Sequence, residues 1–179
     1  MFGRKITGNY GPDWILYSYN TSTNSYKSLD LNSELEQGKA YWIIQLTDSE
    51  VALDMPAGTT PTPVINSSQC ASINGCYEIP LGPLSNPTQW SMIGFPFPNN
   101  IQVKQLRVVT DSGTCGDNDG CKFDEASAAD IFHNQLWNYN GTTYDILQSN
   151  ELLYPWTGFW AATLKNTTDL HPKLLIPAQ

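Results

Sequence analysis

Leu136-Trp137-Asn138-Tyr139-Asn140-Gly141-Thr142-Thr143-Tyr144-Asp145-Ile146-Leu147 decides the fold class. Two short runs of aromatic and apolar residues flank a polar turn. Asn140 and Gly141 both tolerate positive φ, which suits the twist of paired antiparallel strands. Aromatic residues fit a pleated, half-buried surface. The stretch therefore predicts a β-hairpin with strands at Leu136 to Tyr139 and Tyr144 to Leu147.

Working outward, an irregular stretch ends in Pro155-Trp156, and Gly158-Phe159-Trp160 opens a new strand. The small residue at its head would let another backbone or ring approach closely. A last strand ends at Ile176-Pro177-Ala178, because proline cannot continue a central ladder.

The same succession stands near the start of the chain. Sliding by 118 positions sets Tyr26 on Tyr144, Leu29 on Leu147, Asn32 on Asn150 and Ala40-Tyr41-Trp42 on Gly158-Phe159-Trp160. Read without a gap, Tyr19-Asn20 falls on Trp137-Asn138; further on, Met55-Pro56-Ala57 matches Ile176-Pro177-Ala178. Agreement of aromatic type in one register over roughly 40 residues reads as a duplication. The units are unequal. Only the second has an upstream strand, Trp90-Ser91-Met92-Ile93-Gly94-Phe95-Pro96-Phe97. The first unit is expected to borrow such a strand, or to be cut short because the chain is a fragment of a longer protein.

Trp90 to Pro96 (W-x-M-I-G-x-P), the Trp137-x-Tyr139 hairpin and Gly158-Phe159-Trp160 resemble a repeated, uncharacterised β module of secreted and surface-anchored bacterial proteins. The resemblance covers residues 90–178 well and 14–57 in part. It implies a module carried beside adhesion or enzyme domains, and it carries over no catalytic residue.

These readings predict an all-β, mainly antiparallel fold. Two related β units form a sandwich or barrel-like domain with one short helix. Residues 1–57 make the first, partial unit; 58–69, rich in Thr and Pro, make an extended connector; 70–179 make the second unit, with the two packed together. Strands are expected around Tyr77 to Leu81 and along Ile101 to Thr110, where the alternation slips phase. Asp124 to Phe132 is the helix candidate, with Asp124 as its cap.

Composition narrows the function. Charged residues are 15% of the chain, against about 25% in an average globular protein. Neutral polar and aromatic residues fill the difference, which suits an extracellular β protein. A net charge of −8 repels a phosphate backbone and argues against nucleic acid. No apolar run reaches the roughly 18 residues of a membrane span, so no membrane insertion is expected. Met1 to Gly8 lacks the apolar core of a signal peptide.

Cys70 and Cys76 stand six apart, as do Cys115 and Cys121. Asn74-Gly75 and Asp119-Gly120 form turns that favour pairing within each couple. Tetrahedral zinc and free thiols are the alternatives, although C-x5-C is not the usual zinc spacing. Disulfides imply an oxidising compartment, hence an extracellular or cell-surface location. Between the second couple, Asp117 and Asp119, with Asp124 nearby, could supply oxygen ligands to a structural calcium ion. The alternative is a solvated turn.

Neither His133 nor His171 lies in a metal-helix motif, and no G-x-S-x-G elbow occurs. A carboxylate pair for glycoside hydrolysis could lie among Asp13, Glu34, Asp130 and Glu151, but nothing in the sequence sets two of them together. Exposed tryptophans stack on sugar rings. Trp156 is the first candidate for ligand contact and Trp14 the second, whereas the recurrence of Trp42 and Trp160 speaks for packing. Function is expected in the insertions that the units do not share. The sequence thus predicts a non-catalytic extracellular interaction or structural module, with a surface protein or glycan as partner. A carbohydrate-binding module and a hydrolase with an acidic site are the alternatives.

Overall fold

The computed structural model describes residues 7–48, 62–66, 70, 72–81, 89–111, 120–128, 130–164 and 170–179. The fold is mostly antiparallel β, packed as a sandwich. The first unit is a three-stranded sheet, β2-β1-β3, made of β1 (Trp14–Asn20), β2 (Ser25–Ser28) and β3 (Trp42–Gln45). Its small core holds Trp14 and Leu16, with Tyr10, Leu29, Leu35 and Tyr41 packed against them.

The second unit holds the main core. One sheet, in the order β5-β11-β8-β9, comprises β5 (Gln89–Gly94), β8 (Leu136–Tyr139), β9 (Tyr144–Leu147) and β11 (Gly158–Thr163). A second, in the order β4-β12-β7, comprises β4 (Cys76–Pro80), β7 (Arg107–Val109) and β12 (Lys173–Pro177). Ile93, Leu136, Phe159 and Ala161 of the first meet Ile79, Val108, Leu174 and Ile176 of the second in one buried cluster. Leu175, pointing the other way by strand alternation, packs with Cys70, Cys76 and Val109. A two-stranded pair, β6 (Ile101–Gln102) with β10 (Leu152–Leu153), closes one side.

The phase slip within Ile101 to Thr110 has a structural cause. A 3-10 turn at Val103–Gln105 separates β6 from β7 and lets Ile101, Val103, Leu106 and Val108 all reach the core. The helix is shorter than the sequence suggests and starts earlier. It is α1 (Phe123–Ala128), and Glu125 reaches back to accept the Lys122 amide at 2.8 Å, so Asp124 lies inside the first turn and does not cap. Asp130, at φ 56°, turns the chain and delivers Ile131 and Phe132 to the core.

The two hairpins share one geometry. Tyr19 lies opposite Tyr26, and Tyr139 opposite Tyr144. Tyr17 pairs with Trp42, and Trp137 with Trp160. Asn20 Oδ1 accepts the amides of Ser22 and Thr23; Asn140 Oδ1 accepts those of Thr142 and Thr143. Tyr19 therefore corresponds to Tyr139, two residues beyond the ungapped match to Trp137, and the first hairpin accommodates the difference before Tyr26. The Met55-Pro56-Ala57 match lies outside the described residues.

The connector is tied down where it is described. Ile65 exchanges backbone hydrogen bonds with Cys76 at 2.8 and 2.9 Å, and Thr62 Oγ1 donates to the Pro96 carbonyl at 2.7 Å. The Cys70–Cys76 disulfide is formed. Cys121 is also disulfide-bonded, while Cys115 lies outside the described residues.

Candidate functional site

Strand alternation sends one side of each hairpin to its own core and the other side outward. In the second unit the outward row across β9, β8, β11 and β5 is Ile146, Trp137, Trp160 and Met92. In the first it runs from Ser28 through Tyr17 to Trp42. These outward sides face each other. Tyr19 stands edge-on to Trp160 with ring centroids 4.7 Å apart, and Tyr139 stands edge-on to Trp42 at 5.0 Å. Edge-to-face pairs suit the aromatic quadrupole. Desolvation by burial raises the pKa of Tyr19 and of Tyr26, and the nearby Tyr144 hydroxyl raises Tyr26 further.

Close approach at the centre of this interface depends on glycine. A Cβ on Gly158 would stand 2.7 Å from the Ala40 Cβ, and one on Gly94 would stand 2.5 Å from the Lys39 carbonyl oxygen. The small residue at the head of the Gly-Phe-Trp strand thus has the role expected of it.

Between the units opens a cleft of about 230 Å³. One wall is Ala40, Tyr41 and Trp42, the other Trp156, Thr157 and Gly158, and Met92, Asn138, Tyr139, Phe159 and Trp160 complete the lining. The lining is largely aromatic, and none of its side chains is a carboxylate, imidazole, amine or thiol. The Trp42 indole N–H is enclosed beside the Tyr26 hydroxyl, and its hydrogen-bonding pull on that hydroxyl works against the larger, pKa-raising effect of burial. Tyr41 is held in place by the Glu36 amide, which donates to its hydroxyl at 2.7 Å.

Trp156 is the most exposed of these rings, at 74%. Its backbone lies at φ 64°, a region unfavourable for a side chain of this bulk. Thr157 anchors the turn through its amide and hydroxyl, both donating to the Tyr154 carbonyl. Strain of this kind persists where surrounding structure holds it, and it concentrates at binding sites.

The structure thus brings Trp156 to the cleft and removes Trp14 from consideration. Trp14 is 1% exposed, edge-on to Tyr10 at the centre of the first unit's core. With Leu16 of the same strand it makes the buried centre of that core, so its indole is consumed by packing. Trp42 and Trp160 depart from the packing role alone: half-buried, they hold the units together and also line the cleft. The cleft accordingly lies between the two hairpin units, with Met92 of β5, the strand that the first unit lacks, in its lining.

Asp117 and Asp119 lie outside the described residues. Asp124 is exposed on α1. Of the acids considered for hydrolysis, Asp13 accepts the Asn9 amide at 2.6 Å and Glu151 accepts the Gln148 amide, so both brace loops. Among the described residues no helix is long and apolar enough to cross a membrane.

Comparison with protein-family models, with curated proteins and with solved structures yields no match.

Proposed function

We propose that this chain is a non-catalytic extracellular binding module, made of two copies of one β unit, whose ligand surface is the aromatic cleft between them. One observation carries the reading: an open cleft walled by Trp42, Tyr139, Trp156 and Trp160, with Trp156 held exposed on a strained turn. Largely apolar pockets with a few convergent polar groups are the usual form of a binding site. A lining without acid, base or thiol side chains favours binding over hydrolysis. The equal hairpin registers support duplication, and the disulfide supports an oxidising, extracellular setting.

A glycan is the second reading, favoured by the exposed indole of Trp156 at the cleft. Indole N–H signals in NMR spectra test the reading at large. Addition of a binding partner should shift the signals of Trp42, Trp156 and Trp160 and leave that of Trp14 in place. A ligand that shifts other residues and none of the cleft would end the assignment.

A further inference from the structure

Both units contribute rings to the cleft. Tyr41 and Trp42 come from the first, and Tyr139, Trp156 and Trp160 from the second. Two pairs that bridge the units fix three of these rings: Tyr19 stands edge-on to Trp160, and Tyr139 edge-on to Trp42. Their arrangement is set by the fold, so a ligand has little left to order.

Much of the polar chemistry of the lining residues is engaged within the protein. The Tyr41 hydroxyl accepts the Glu36 amide at 2.7 Å, and the Tyr139 hydroxyl donates to the Gly141 carbonyl at 2.9 Å. The Thr157 hydroxyl donates to the Tyr154 carbonyl at 2.5 Å. The Trp42 indole N–H is enclosed beside the Tyr26 hydroxyl. What the described lining offers a ligand is therefore chiefly aromatic surface, with the Met92 side chain beside it. A sugar brings many hydroxyls, and polar groups that lose water without gaining a partner are costly.

Charge narrows the class further. The chain carries a net charge of −8, so its field attracts cations and repels anions. Lys39, which precedes Ala40 of the lining, is paired with Glu36 at 2.7 Å, and its charge is offset there. Aromatic rings attract a cation through the negative faces of their π systems, most strongly in Trp. A primary ammonium carries three N–H donors that each want an acceptor. A quaternary ammonium carries none. Its methyl groups match an aromatic surface while its charge is met by the rings.

We propose that the cleft is a binding site for a quaternary ammonium group, held by cation–π attraction to Trp42, Tyr139, Trp156 and Trp160. The inference rests on the cleft being the ligand surface, and it names the chemistry that this surface selects.

The test titrates choline into the whole protein and follows the indole N–H signals by NMR. Choline should shift the signals of Trp42, Trp156 and Trp160 saturably. Its neutral tert-butyl analogue, in which carbon replaces the nitrogen, has the same shape without the charge and should bind about tenfold more weakly. Trp156 is exposed, so Trp156→Ala should keep the native circular dichroism while weakening choline about fivefold; Trp156→Phe, which keeps a ring, should restore part of the loss. Should the alanine variant misfold, choline and its analogue still decide. O-phosphocholine and Nε-trimethyllysine carry the same group from different sources, and tighter binding of one identifies the carrier. Equal binding of choline and the neutral analogue overturns the inference, as does a choline response confined to signals outside the cleft. If choline leaves the cleft indoles unmoved while cello-, xylo- or chito-oligosaccharides shift them, the inference falls and the binding surface stands. If neither moves them, the inference and the glycan reading fall together.

Discussion

Ala40 and Gly158 hold the same place in their respective units, and they touch: a Cβ on Gly158 would lie 2.7 Å from that of Ala40. The interface between the units is therefore set by a residue meeting its own counterpart, with the Tyr19–Trp160 and Trp42–Tyr139 contacts on either side. Gly158→Ala should destabilise the protein by about 1–3 kcal/mol, the usual cost of overpacking. Combining it with Ala40→Gly exchanges the two side chains and should recover most of that loss. Urea denaturation of the single and double variants measures it; additive losses would show that the contact is not the cause.

Trp156 is exposed and left-handed, so it contributes little burial and carries backbone strain. Glycine adopts that conformation freely, as Gly38 does at the corresponding turn. Trp156→Gly should leave stability unchanged or raise it by up to about 1 kcal/mol, while Trp156→Val should lower it by a similar amount. Thermal unfolding compares the three proteins. A clear loss of stability in the glycine variant would place the indole in a structural role instead.

Tyr19, Tyr26, Tyr41 and Tyr77 all have raised pKa values, each chiefly through desolvation by burial. The folded state therefore keeps phenol protons that the unfolded chain gives up near pH 10. Stability from this source is full below pH ~10 and is lost as pH rises through the folded-state values. Lys173 acts in the same direction: burial lowers its pKa, but Glu78 and Asp111 together outweigh that and raise it. Alkaline titration followed at the tyrosinate absorbance should show a late-titrating group of tyrosines whose ionisation coincides with loss of near-ultraviolet dichroism. A single unperturbed phenol titration with the fold intact would contradict this.

The Cys70–Cys76 bridge closes a small loop and packs against Leu175 and Val109. Replacing both cysteines with alanine should cost about 2 kcal/mol by the loop-entropy relation. Guanidinium denaturation of the double variant measures it. An unchanged midpoint would mean that the Ile65–Cys76 backbone pair holds this corner without the bridge.

Local chemistry was legible in the sequence. The Asn140-Gly141 turn, the alternating aromatic strands and the small residue before Phe159-Trp160 depend on neighbours a few positions away, and all stand in the structure as expected. The candidate site was legible only at Trp156, where an aromatic next to proline lay outside the repeated set. The phase slip before Leu106 was visible, but not the 3-10 turn that resolves it.

What only the tertiary structure decided depends on which faces meet. Trp14 and Trp42 lie in similar strand contexts, yet one fills a core and the other lines a cleft, because only the second is on the side that faces the partner unit. The two-residue shift that aligns Tyr19 with Tyr139 follows from cross-strand pairing, which an ungapped reading does not register. The sequence by itself determined two β-hairpin units and the one unshared strand, Trp90 to Phe97. The fold determined that this strand is seated between both units, and that a cleft opens between Tyr41 and Trp156.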